Sequence, residues 1–325
     1  MKNLKIILTS MCIFLMILAC KKEEPPGPPV LTTDPVSEIT YYGATTGGTI
    51  TDDGGEEITA RGVCWSTSST PTTADNKTED GEGSGSFTSK ITGLDPETPY
   101  YVRAYAVNSV GTSYGNEVSF TSGPLTDIDG NTYNTVIIGD QVWMQENLKV
   151  TKLNNGTQIP LVEDNDTWLH TDDPGHSWYD NDEDTYGDTY GAFYNWYTVN
   201  TGKLCPDGWH VPSDEEWTAL TDFLGGEDVA GGKLKEAGIE HWDSPNTDAT
   251  NETGFTGLPG GYRSNGGQYY SMGWTGNWWT STIVDDGWDT FVYSRRLRAD
   301  LNSVYRSYSN KNFGRYVRCI KDQYK

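Results

Sequence analysis

Cationic side chains are scarce in this sequence: 23 Lys and Arg stand against 46 Asp and Glu in 325 residues, a net charge of −23. A field of that sign repels phosphate backbones, so nucleic acid is a poor partner and none is expected. Phe and Met are scarce too, at 8 and 5 residues, which leaves a helical bundle short of its usual core filler. No apolar run reaches the ~20 residues of a membrane-spanning helix; the run at 6–19 has 14. A complete catalytic constellation is also lacking. The four histidines, His170, His176, His210 and His241, never take the H-x-x-x-H spacing of a zinc-binding helix. Among 46 acids, carboxylate pairs arise by number alone and signal no glycosidase. The chain is therefore expected not to be an enzyme. What it has in quantity is 37 Gly, 20 Tyr and 12 Trp, turn formers and amphipathic aromatics, in a length that suffices for two domains.

Lys2 and Lys5 precede the apolar run in the layout of a secretory signal. The run ends Ile17-Leu18-Ala19-Cys20, which resembles a bacterial lipobox, with Leu18 bulkier than usual and Cys20 as the acylated residue. Behind it, Lys21-Lys22-Glu23-Glu24 resembles the surface-export signal of Bacteroidetes-type lipoproteins. These resemblances imply a signal peptide over 1–19 and an outer membrane lipoprotein facing the extracellular side, with the membrane as a partner through the lipid anchor. Cleavage would remove two lysines and no acid, leaving 21 basic side chains against 46 acidic ones. The rest of 20–29, with Pro25-Pro26-Gly27-Pro28-Pro29, reads as a stiff tether.

Over 30–123, short alternating runs such as Arg61-Gly62-Val63-Cys64-Trp65 and Tyr100 to Val107 are separated by Gly, Asp, Ser and Thr clusters. These are strands at sandwich spacing. Leu94-Asp95-Pro96-Glu97-Thr98-Pro99-Tyr100-Tyr101-Val102 resembles the corner and sixth strand of a fibronectin type III domain. That resemblance implies that Leu94 plugs the core and that the Tyr100 hydroxyl returns to upstream backbone. A spacer role is expected, since no exposed aromatic cluster or charge patch stands out. Cys64 is expected to be a buried thiol without a partner.

Composition changes at Gly123-Pro124, and 11 of the 12 Trp lie beyond it. Val136 to Ile138 and Val142 to Met144, joined by Gly139-Asp140, form a hairpin with Trp143 and Met144 on opposite faces. Ser213 and Glu216 make a capping box for a helix carrying Trp217, Leu220 and Leu224, ended by Gly225. A second helix is predicted over 232–237. The region 124–325 is α+β by this reading. Its runs Trp143-Met-Gln-Glu146-Asn147-Leu148, Tyr190-Gly-Ala-Phe-Tyr194-Asn195-Trp196, Cys205-Pro-Asp-Gly-Trp209-His-Val-Pro212, Leu258-Pro-Gly-Gly-Tyr262-Arg263, Trp278-Trp279 and Val317-Arg318-Cys319 resemble the Fibrobacter succinogenes major paralogous domain, a family without an established activity. The Gly-Trp-His-Val-Pro run and the closing Arg-Cys strand also resemble the C-type-lectin-like fold, including the branch of formylglycine-generating enzymes. That branch needs a reactive cysteine pair near the chain end, and only Cys319 stands there.

A disulfide between Cys205 and Cys319 is expected from the oxidising setting and from the way lectin-like domains tie back their last strand; two separate buried thiols are the alternative. Carboxylates at 163–188 suit Ca²⁺, and Asp180, Asp182 and Asp184 are its candidates. An EF-hand would need Gly after Asp184, where Thr185 stands, and a solvated acidic loop is the competing reading. No other cofactor is expected. Tyr269, Tyr270, Trp274, Trp278, Trp279 and Trp288 are candidates for a ligand face, because flat aromatic rings cover sugar faces or anchor partner proteins. Trp278 and Trp279 are adjacent, so one is expected in the core and the other outside it. The architecture expected is multidomain, an all-β fibronectin type III-like sandwich followed by an α+β C-type-lectin-like domain. The function expected is a surface lipoprotein whose non-catalytic head binds glycan or surface protein; a polysaccharide-acting enzyme and a structural surface component are the rivals.

Overall fold

The computed structural model describes residues 25–284 and 291–322. The leader at 1–19, Cys20 and Trp288 lie outside the described residues.

Eight strands make the first body: β1 Val30–Thr33, β2 Gly43–Asp52, β3 Ala60–Ser66, β4 Asn76–Lys77, β5 Gly85–Thr92, β6 Pro99–Val107, β7 Thr112–Tyr114 and β8 Val118–Thr121. One sheet has the order β1-β2-β5, the other β4-β3-β6-β7, with β8 also on β6. Alternation along β5 sends Phe87, Ser89 and Ile91 inward. They meet Leu31, Ile50, Val63, Val102 and Phe120 in a core between the two sheets. Leu94 is wholly buried, and the backbone N–H of Asp95 donates to the Tyr100 hydroxyl at 3.0 Å, the corner expected from the sequence. Cys64 is buried and unpaired, and burial pushes its thiol up to about 11.

The second body begins with β9 Leu125–Thr126 and β10 Thr132–Tyr133. A hairpin follows, β11 Thr135–Ile138 and β12 Gln141–Met144, closed between Ile138 and Gln141 by Gly139 at φ 62°. Then come α1 Asn165–His170, β13 His176–Ser177, α2 Glu183–Tyr190, β14 Phe193–Tyr194, α3 Trp196–Val199 and β15 Trp209–His210. The helices α4 Asp214–Phe223 and α5 Glu227–Leu234 precede β16 Gly260–Arg263, β17 Tyr269–Met272, β18 Thr275–Ile283, β19 Phe291–Arg298, β20 Tyr305–Asn310 and β21 Ile320–Lys321. The main sheets are β11-β12-β21-β15 and β17-β16-β18-β19-β20.

α4 starts as its sequence dictates: the Ser213 hydroxyl accepts from the Glu216 N–H at 3.1 Å, and the Glu216 carboxylate accepts from the Ser213 N–H at 2.7 Å. The second helix departs from expectation. It runs from Glu227 to Leu234, not over 232–237, and carries Gly231 and Gly232 inside it. Those glycines serve packing: a Cβ on Gly231 would lie 2.5 Å from the Ser303 carbonyl oxygen, and one on Gly232 would lie 2.4 Å from that of Asp248.

Two cores lie on opposite sides of β12 and β18. Met144 and Trp279 join one, with Tyr194 and the cysteines 205 and 319. Trp143 and Trp278 join the other, with Trp217 and Phe255. The expected disulfide is present, Cys205 to Cys319, with Cα atoms 6.1 Å apart and 114 residues of separation. It sits beside the joint between the bodies. There the Tyr41 hydroxyl donates to the Asp207 carbonyl at 3.1 Å, the Tyr42 ring covers Gly208, and Lys321 pairs with Asp95.

Candidate functional site

Asp182 caps α2, its carboxylate accepting from the Thr185 N–H at 3.1 Å. The helix so started carries Tyr186 and Tyr190 four residues apart, on one face. Tyr179 lies in the turn before it, β17 brings Tyr269, and the segment after α5 brings His241. Their rings form one continuous ribbon. Centroid distances are 5.4 Å for Tyr269–Tyr179, 5.1 Å for Tyr179–Tyr186, 6.3 Å for Tyr186–Tyr190 and 5.9 Å for Tyr190–His241. All five side chains are half-buried, so each keeps part of a ring toward solvent while its neighbours hold it in place.

Burial, and next the charge of Asp180, raises the Tyr179 hydroxyl above the ordinary phenol range; burial and then Glu236 do the same for Tyr190. Both therefore remain hydrogen-bond donors at neutral pH. Tyr269 is fixed by its hydroxyl, which donates to Asn181 Oδ1 at 2.6 Å, and by the Arg263 guanidinium 5.0 Å from its ring centroid. At the far end, His241 Nδ1 lies 2.9 Å from both Glu236 carboxylate oxygens, and Glu240 joins them. Ligand atoms of these three residues lie within 4.8 Å of one another, and they are the group among the described residues that could hold a cation.

The structure corrects the calcium candidates. Asp180, Asp182 and Asp184 do not converge: Asp182 is spent on the helix cap, Asp180 sits at φ 54° before it, and Asp184 points outward in the first turn. The aromatic candidates are corrected in part. Trp278 and Trp279 are both 0% exposed, because their strand is covered on both faces, and neither can form a ligand face. Trp274 packs half-buried against the Trp143 core. Tyr270 is exposed but follows Tyr269 in β17 and so faces the other way, its ring 5.8 Å from Tyr262. Only Tyr269 belongs to the ribbon. Tyr179, Tyr186 and Tyr190 are not among the ligand-face candidates of the sequence, although their spacing of seven and four residues is that of a helical stripe.

Two arrangements that look catalytic are structural. His210 is bonded at both nitrogens, Nδ1 to Asp322 at 2.6 Å and Nε2 to Glu216 at 2.8 Å, so it offers no lone pair to a substrate. The run Gly111-Thr112-Ser113-Tyr114-Gly115 has nucleophile-elbow spacing, but Ser113 lies within β7 of the sandwich instead of at a strand-to-helix turn. Surface grooves at the joint (Tyr41, Pro124, Asp127) and along α4 (Glu215, Ala219, Phe223) include no ribbon residue.

A search of curated proteins gives no match. Among solved structures, the sensor domain of an anti-sigma factor from Pseudobacteroides cellulosolvens is similar at 20% identity, over 30% of this chain and 96% of that one, with a TM-score of 0.24. A fibronectin type III domain from human is similar at 14% identity, over 29% of this chain and 72% of that one, with a TM-score of 0.21. Another human fibronectin type III domain is similar at 18% identity over 32% and 93%, with a TM-score of 0.22. Residues 136–321, more than half of the chain, match the Fibrobacter succinogenes major domain, and the chain belongs to that family.

Proposed function

We propose that the second body is a non-catalytic binding head of C-type-lectin-like fold, which takes a glycan on the ribbon Tyr269–Tyr179–Tyr186–Tyr190–His241. The observation that carries this reading is the ribbon itself. Rings in a row at 5.1 to 6.3 Å, each partly open, offer a firm apolar track. Hydroxyls and the Glu236 and Glu240 carboxylates flank it with donors and acceptors, the mixture that a sugar's apolar face and hydroxyl edge require. In this reading the sandwich and the Pro-rich tether space the head from an outer membrane, to which lipidated Cys20 anchors the chain on its extracellular side. No described helix is long and apolar enough to cross a membrane.

A glycan array probed with the full chain, in calcium and again with chelator, tests the reading. Selective retention that weakens on Tyr186→Ala supports it. Dependence on calcium would add Glu236, Glu240 and His241 as ion ligands. No retention on any glycan overturns it.

A further inference from the structure

Most buried cations of this head find acceptors for their terminal nitrogens among the described residues. Arg295 meets the carboxylates of Asp214 at 2.8 Å and Glu227 at 2.6 Å. Arg263 and Arg318 donate to backbone carbonyls and to Asn165 and Asn147 respectively. Lys235 Nζ donates to the carbonyls of Thr247, Arg298 and Leu301.

Arg296 differs: it lies on the opposite face of the β18-β19-β20 sheet, and Arg315 approaches the same face. Arg296 is paired across the strands with Asn277 on one side and Tyr305 on the other. Its guanidinium lies 5.2 Å from the Tyr305 ring centroid and has no hydrogen bond or ion pair among the described residues. Arg315, 6% exposed, reaches the same spot from the loop before β21: Nη1 donates to Asn277 Oδ1 at 2.9 Å and Nη2 to Ser309. The Nε atoms of both arginines are buried without an acceptor, as is that of Arg295. Ser294 and Ser307, with hydroxyls 3.1 Å apart, lie on the same face one pair along. No described carboxylate bonds to either guanidinium, in a chain where acids outnumber bases two to one. Burial pushes Arg315 down to about 9, with the charge of Arg296 as the next cause. Asn277, opposite Arg296 in the strand register, accepts from Arg315, so two guanidinium groups share this face with no described carboxylate bonded to either.

We propose that Arg296 and Arg315 form an oxyanion site, which binds the carboxylate or sulfate group of an acidic glycan. A planar guanidinium matches such a group with two parallel hydrogen bonds, and that of Arg296, which has no bonded partner among the described residues, is free to do so, while buried Arg315 adds positive charge behind it. The sugar carrying the charge has ring faces to lie on, since Tyr305 is 39% exposed and Tyr270, its ring tilted against that of Tyr262, is 48% exposed. The net negative charge of the chain does not forbid this, because charges beyond about 8 Å are screened at physiological salt. The inference rests on the glycan reading for the carrier of the oxyanion, but on different residues from the tyrosine ribbon.

Calorimetric titration of the full chain with three hexasaccharides, an oligogalacturonate, a sulfated galactan and a neutral galactan, decides it. The expected result is that at least one acidic hexamer binds at least tenfold tighter than the neutral one, and that Arg296→Ala removes that preference. Arg296→Lys, which keeps the charge and loses the fork, restores part of it. The acidic hexamer that binds identifies carboxylate or sulfate as the group. Affinity falls with added salt, and Tyr186→Ala leaves the acidic preference intact, which separates this site from the ribbon. Acidic hexamers that bind no better than the neutral one, or that bind alike to the parent and to a folded Arg296→Ala, overturn it. Should Arg296→Ala fail to fold, Arg296→Gln takes its place in the same comparison.

Discussion

Trp278 and Trp279 are consecutive in one strand, and each donates its indole N–H at 2.7 Å, Trp278 to Asn147 Oδ1 and Trp279 to the Tyr194 carbonyl. They point into different cores, and both cores are closed. Replacing either by Ala removes a large buried volume and one buried hydrogen bond. Each substitution is expected to cost about 3 to 5 kcal/mol in urea unfolding. If Trp279→Ala unfolded at the parent's midpoint and instead lost glycan retention, the indole would be a contact residue and its placement in the core would be wrong.

The ribbon makes the opposite demand. Tyr186 is half-buried, contributes its ring to two neighbours and accepts no buried load. Tyr186→Ala is expected to shift the unfolding midpoint little while weakening retention of the glycan about tenfold, or about 1.4 kcal/mol. Tyr186→Phe keeps the ring and should bind close to the parent, so the pair of variants separates stacking from hydroxyl chemistry.

What the sequence made legible follows from how local each signal is. The Tyr100 corner, the Ser213–Glu216 cap and the Gly139 turn are decided within a few residues, and the structure shows all three. The second helix starts earlier than its sequence predicts because Gly231 and Gly232 are weak helix formers, yet the close approach of Asn302, Ser303 and Asp248 requires them inside it. The Trp278–Trp279 alternation holds for a sheet with one wet face, and fails where helices cover one side and β14 and α3 residues the other. The ribbon and the arginine pair are hidden for a simpler reason: Tyr179 meets Tyr269, and Arg315 reaches the Asn277 that pairs with Arg296, only through tertiary folding.

The disulfide should act on the joint as well as on the head. Cys205 lies two residues before Asp207 and Cys319 two before Lys321, and these partners touch Tyr41 and Asp95 of the sandwich. The 114-residue separation places its stabilisation near the upper end of the chain-entropy range, about 4.7 kcal/mol. Substituting Ser at both positions is expected to lower head stability by up to that amount. It should also speed proteolysis at 122–126, the connection between the bodies. Unchanged cleavage there, with the head destabilised, would show that the joint holds without the bridge.

His210 gives the head a pH dependence whose direction can be worked out. Its pKa is raised above 6.5 by the bond to Glu216 first, against burial, and then by Asp322. A raised base binds its proton more tightly folded than unfolded. The stabilisation is therefore complete below pH 6.5 and is lost as pH climbs through the folded value. Glu216 is held below the ordinary carboxylate range although burial pushes it up, because the bonds from His210 and Ser213 outweigh burial. Its own contribution fails only in acid, below about pH 4.5, so the two windows do not overlap. The effect is modest, since the imidazole is 40% exposed. Urea midpoints measured between pH 5.5 and 8.5 should show the parent losing its advantage over His210→Gln as pH rises. A gap between the two that stays constant across that range would mean that His210 holds the cap of α4 and the end of β21 by shape alone.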